Sequence, residues 1–248
     1  MPRSKMPLPL ALLASLALLG PLSPPLAAES SPEAQKWLDK LQTVFEKGSF
    51  TLEFSGSLAA ASVGEGTLEG NITYGDPTHS KARIVLELAA PEGSGGDAAK
   101  MQLLSVQDGT SKWDEVEMLG AYQVTRAPLE AAGATAGLDP VSQLRQVSQS
   151  LDFEVHQVAE GRVELAAALD DTTRRSLGQL GSIPGVHGFV LALDEKTGHP
   201  LEFRAQGDPP AVRMVFEELT FVDRSSLDDK TFSYEPPAGA QVLDLGGS

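Results

Sequence analysis

In run after run of this chain, every second residue is apolar. Phe50, Leu52 and Phe54 alternate with Thr51, Glu53 and Ser55. Leu68, Ile72 and Tyr74 alternate with Thr67, Glu69, Asn71 and Thr73. Ile84, Leu86 and Leu88 alternate with Arg83, Val85 and Glu87. Period two is the signature of a strand with one buried face. Polar residues on the other face favour antiparallel sheet with one wet side. The same style returns at 153–158, 162–169, 189–194, 201–206 and 212–222, while 101–106 is a more continuous apolar run. Asp108-Gly109 is a hairpin signal, and Glu195-Lys196-Thr197-Gly198 is a turn between two strands. Short strands in series predict one large antiparallel sheet.

Helices are few. Ser31-Pro32 opens one, with Pro at the first helical position. Trp37, Leu38, Leu41, Val44 and Phe45 form its apolar stripe, and Gly48 ends it. Asp139-Pro140 starts a second, with Val141, Leu144, Val147 and Leu151 as its stripe. A short helical piece is expected at 171–180. Residues 92–99 and the Gly-rich stretch 127–138 read as connections. A one-faced apolar sheet with so few helices is either covered by them or left with an apolar hollow suited to a greasy ligand. A packed core gives the same pattern.

The first residues resemble an export signal. Arg3 and Lys5 precede the apolar run Leu8–Leu19, prolines at 21, 24 and 25 break it, and Ala27-Ala28 supplies small residues. Cleavage after Ala28 is expected, leaving 29–248 as one domain with no membrane anchor. The chain has no cysteine. A lipid-modified N-terminal cysteine is therefore ruled out, and so are disulfides, so the core must hold the fold. The net charge is −15, and removal of residues 1–28, which carry Arg3, Lys5 and no acidic residue, takes it to −17. That argues against nucleic acid as partner, since phosphate binding needs a basic face.

Catalytic and metal signals are sparse. His79, His156, His187 and His199 are scattered, with no metal-ligand spacing among them. No nucleophile elbow, Ser-x-x-Lys, phosphate-binding loop or dinucleotide fingerprint occurs. No enzyme activity, cofactor or metal is expected. Asn71-Ile72-Thr73 matches a glycosylation sequon.

The C-terminal residues 232–245, FSYEPPAGAQVLDL, resemble the close of the LolA family, the periplasmic carriers of outer-membrane lipoproteins. Residues 38–54 are similar to that family's opening helix and first strand. Gly64–Tyr74 followed by Pro77 resembles its next strand, and Asp108-Gly109 with Trp113 its D-G-x-x-x-W turn. Gln123-Val124-Thr125 and Leu138–Leu144 follow in the family's order. The resemblance spans roughly 31–245. It implies a mainly β fold with some α: an incomplete, half antiparallel β-barrel whose helices cover a concave apolar face. It also implies a monomeric periplasmic carrier or chaperone that shields the acyl chains of a lipid or lipoprotein, with an inner-membrane donor and an outer-membrane acceptor. Where typical carriers have an arginine that helps latch the lid, this chain has Asp76.

The expected ligand face is Leu52, Phe54, Leu68, Ile72, Ile84 and Leu86 in the first half. Phe189, Leu191, Leu201, Phe203, Met214 and Phe216 supply it in the second. Trp113, and Leu129 in the lid-like stretch 127–138, complete the set. Two rival readings stand beside the carrier. One is an envelope sensor or regulatory protein of the same fold that binds a protein partner. The other is an envelope hydrolase whose triad is assembled only by the fold.

Overall fold

The computed structural model describes residues 30–60, 64–89, 99–129, 147–176, 185–207 and 211–246. The expected signal peptide, the connection at 92–98 and the start of the Asp139-Pro140 helix lie outside them. So does most of the lid-like segment.

Helix α1 (Pro32–Glu46) is capped by Ser31, whose hydroxyl accepts from the Ala34 N–H at 3.3 Å. It ends where Gly48 takes φ +141°, a conformation that favours glycine. The strands are β1 (Phe50–Ala60), β2 (Gly64–Asp76), β3 (His79–Leu88), β4 (Ala99–Asp108), β5 (Ser111–Met118) and β6 (Ala121–Pro128). After residues 147–150, which are helical, come β7 (Glu154–Ala159) and β8 (Arg162–Ala168). The short α2 (Asp171–Ser176) precedes β9 (Gly188–Asp194), β10 (Pro200–Gln206), β11 (Val212–Phe221) and β12 (Gln241–Asp244). The two predicted turns, 108–110 and 195–198, join β4 to β5 and β9 to β10.

All of these strands form one 12-stranded sheet in the order β12-β6-β5-β4-β3-β2-β1-β11-β10-β9-β8-β7. The sheet is curved and open, with β12 and β7 at its edges, and does not close into a barrel. Each half is a run of neighbouring hairpins, and the pairing of β1 with β11 is the seam between them. The pairings are antiparallel except that of β12 with β6, which is parallel. This departs from the wholly antiparallel expectation, because a long terminal segment carries the chain back across the sheet.

One face of the sheet, here the inner face, carries α1. Leu38, Leu41 and Phe45 of the helix share a core cluster with Leu52, Phe54, Ile72, Leu165, Phe189 and Leu191. The helix start is tied to the approach to β7 by the Ser31 N–H donating to the Phe153 carbonyl at 3.0 Å. Midway, Lys40 Nζ donates to the Glu195 carbonyl at 2.7 Å, and at the far end Phe45 meets Phe50, ring centroids 5.7 Å apart. The helix therefore crosses the half of the sheet running from β7 to β1.

The outer face is less polar than simple alternation predicts. Val190 and Ala192 of β9 are buried there, beneath an ionic lattice. Glu202 Oε2 receives Arg162 at 2.6 Å and Oε1 receives Arg213 at 2.7 Å, while Glu164 Oε1 receives both Arg162 and Arg204 at 2.9 Å. The long arginine stems lie over apolar surface while their charges are paired. Burial raises the Glu202 pKa, but Arg162 and Arg213 outweigh it and hold the carboxyl below its ordinary range.

Beyond β11 the chain becomes a strap, residues 222–240, over the outer face of the β3–β6 half, and ends in the edge strand β12. Asp223 and Asp228 cap its two short 3-10 turns, Arg224–Ser226 and Asp229–Phe232. Phe232, 1% exposed, lies 5.4 Å below the Arg224 guanidinium and 5.6 Å from the His79 ring. It rests on Gly75, where a Cβ would come within 2.9 Å of the phenylalanine ring. Tyr234 packs on Trp113 at 5.3 Å and donates its hydroxyl to the buried Glu115. Burial, reinforced by that carboxylate, pushes the Tyr234 phenol above its ordinary range.

Candidate functional site

The strand registers arrange the inner face in cross-strand rows. One row reads Phe54–Gly70–Ile84–Leu103–Val116, and the next reads Gly56–Leu68–Leu86–Met101–Met118. On the other side of the seam lie Phe203 and Met214, with Phe189 and Leu191 beyond.

Most of the predicted face is brought together here. Leu52, Phe54, Leu68, Ile72, Leu86, Phe189, Leu191 and Phe216 are buried in one cluster, with Ile84, Phe203 and Met214 half-buried against it. Three residues are not. Trp113 lies on the opposite face, because Val116 of the same strand points inward and the two are three positions apart. There its indole N–H donates to Asp108 Oδ2 at 2.9 Å and Arg126 stacks over it at 5.0 Å. Leu201 is the extra residue of a bulge in β10 and lies outside the core cluster. Leu129 sits beyond the end of β6, its N–H donating to Thr110, also outside the cluster.

Sequence reasoning missed Met101, Leu103, Val116 and Met118, which complete the inner rows. The signal was present in β5, where Val116 and Met118 alternate with Glu115 and Glu117. In β4 it was masked, because Val106 is fully buried on the outer side and fills in the alternation.

Burial varies along the inner face. Leu52, Phe189 and Leu191, in the half that α1 crosses, have no exposed surface. Ile84, Leu88, Val116 and Met118, on β3 and β5, are only partly buried. Across the seam, Phe203 and Met214 are half-buried as well.

Asp76 is engaged by the strap. Its carboxylate meets Arg224 Nε and His79 Nδ1, each at 3.0 Å, and accepts from the Thr78 N–H at 2.8 Å. Burial raises its pKa, but these hydrogen bonds outweigh it and hold the carboxyl well below the usual range. The outer face also holds an open groove of about 480 Å³ between Ser55, Ser57, Thr67, Glu69, Glu87 and Arg213. Among the described residues no group of three or more His, Asp or Glu is placed to hold a metal ion. None of their helices is long and apolar enough to cross a membrane.

Neither a family model nor a curated protein sequence matches this chain. Solved structures do. LprF from Mycobacterium bovis is 12% identical, with a TM-score of 0.46 over 78% of this chain and 95% of its own. A LolA superfamily protein from Nitrosomonas europaea is 13% identical, with a TM-score of 0.31 over 81% of this chain and 97% of its own. MucB is 18% identical, with a TM-score of 0.38 over 84% of this chain, which spans 65% of the MucB chain. At such identities and scores these likenesses assign no activity.

Proposed function

We propose that this protein is a periplasmic carrier that shields the acyl chains of a lipid or lipoprotein against the inner face of its sheet. Residues 1–28 act as its export signal. One observation supports the reading above others: the aliphatic rows of β3–β5 continue the core beyond α1 and keep Ile84, Leu88, Val116 and Met118 partly open. Aliphatic side chains in parallel rows, with the adaptable methionines Met101 and Met118 among them, suit an acyl chain. Each methylene buried contributes about 0.8 kcal/mol, so one long chain offsets much of the cost of association. No covalent step is needed.

The test is purification of residues 29–248 from an envelope extract, organic extraction and mass spectrometry, followed by titration with the neutral fluorophore N-phenyl-1-naphthylamine. Bound lipids are expected, together with probe binding that a Val116→Trp substitution weakens about tenfold at unchanged thermal stability. Val116 is partly buried rather than locked in the core, so the larger ring is tolerated by the fold. Absence of both lipid and probe binding would make the inner face a packed core and turn attention to a protein partner.

A further inference from the structure

Towards the β4–β5 turn the inner face changes character. Beyond Leu103–Val116 the next row is Ser105–Asp114–Thr125, and the last holds Gln107 and Lys112. Ser105 Oγ donates to Asp114 Oδ1 at 2.7 Å, and Lys112 Nζ lies 3.1 Å from Asp114 Oδ2. The side chain of Lys112 is 4% exposed and that of Asp114 is 15% exposed.

A buried ion pair is a poor device for stability, since apolar side chains of similar volume often do as well or better. This pair sits at the end of an apolar surface. Val116 lies four positions along the strand from Lys112, about 13 Å, comparable to the distance from the linkage of an acyl lipid to the middle of its chain. Lysine and aspartate cancel in charge. A charged head placed here would leave a net buried charge, whereas a neutral group with acceptor oxygens would not. An ammonium has three donors, and among the described residues Asp114 engages one.

We infer that the Lys112–Asp114 corner receives the uncharged ester or amide linkage of an acyl ligand, whose carbonyl oxygen accepts from Lys112 Nζ. The chain then runs along Leu103, Val116, Met101 and Met118. This rests on the carrier reading and adds to it an orientation and a ligand class: neutral acyl esters or amides over fatty-acid anions and cationic amphiphiles.

Displacement of N-phenyl-1-naphthylamine from the mature protein tests it, with four amphiphiles of one chain length. These are glycerol monolaurate, its ether analogue 1-O-dodecylglycerol, laurate and dodecyltrimethylammonium. The ester is expected to bind about tenfold more tightly than the ether, which lacks only the carbonyl, and more tightly than either charged amphiphile. In a Lys112→Met/Asp114→Asn double variant, the ester should fall to within about twofold of the ether. Equal affinity of ester and ether in the wild-type protein overturns the inference and leaves the carrier standing, with no need for the variant to fold. Preference for a charged amphiphile overturns it too. Failure of all four to bind overturns the carrier reading and this inference together.

Discussion

Leu119 occupies the turn between β5 and β6 at φ +53° and is 84% exposed. Positive φ in a two-residue hairpin turn belongs to Asn, Asp or Gly, and a branched side chain there is strained by about 1–2 kcal/mol. Its exposed side chain gives little burial to offset that. Leu119→Asn is therefore expected to stabilise the protein by about 0.5–1 kcal/mol, seen as a higher urea midpoint with an unchanged slope. Loss of stability would show that the leucine packs on something the turn geometry does not reveal. Asp108 works the other way, with its side chain organising a turn. Oδ1 accepts from the Thr110 and Ser111 N–H groups at 2.9 and 2.8 Å, and Oδ2 accepts from Trp113. Burial raises its pKa, but these donors win, bringing it from 3.8 to about 2.

Among the elements, the strap is the one whose role a local pattern could not announce. Its Phe232 is a single buried ring far from any alternating run, and its value comes from Gly75, His79 and Arg224, distant in sequence. Phe232→Ala should cost about 3 kcal/mol and release Tyr234 from Trp113. The tryptophan emission should then shift to the red before global unfolding. An unshifted emission would mean that Tyr234 and β12 hold the strap without it. By contrast, α1 and β1–β3 were legible, because propensity, capping and period agree in them and each has one wet face. Trp113 was misread because its family-like turn fixes its position in the chain and says nothing of which face it takes. Only the register through Val116 settles that. Leu201 was misread because a bulge shifts the alternation by one, and period two is blind to a bulge.

At the scale of the molecule, the carboxylates govern the response to acid. Asp76, Asp108 and Glu202 all have pKa values held below their ordinary ones. A depressed carboxylate contributes stability that is complete above its unfolded value and is lost as pH falls through its folded one. The protein should thus hold its melting temperature down to about pH 4 and lose it steeply towards pH 2. An Asp108→Asn variant should melt lower at neutral pH yet fall less over that interval. Parallel curves would mean that Asp108 is not held low in the folded state. The seam has a different consequence. β2–β6 and β7–β10 zip up from neighbouring hairpins, but β1 finds its second partner only when Phe221 meets Phe50, across roughly 170 residues. A chain emerging N-terminus first into the compartment where it folds therefore carries β1 as a bare edge until β11 arrives, and for that interval any other strand-forming segment competes with β11 for the place.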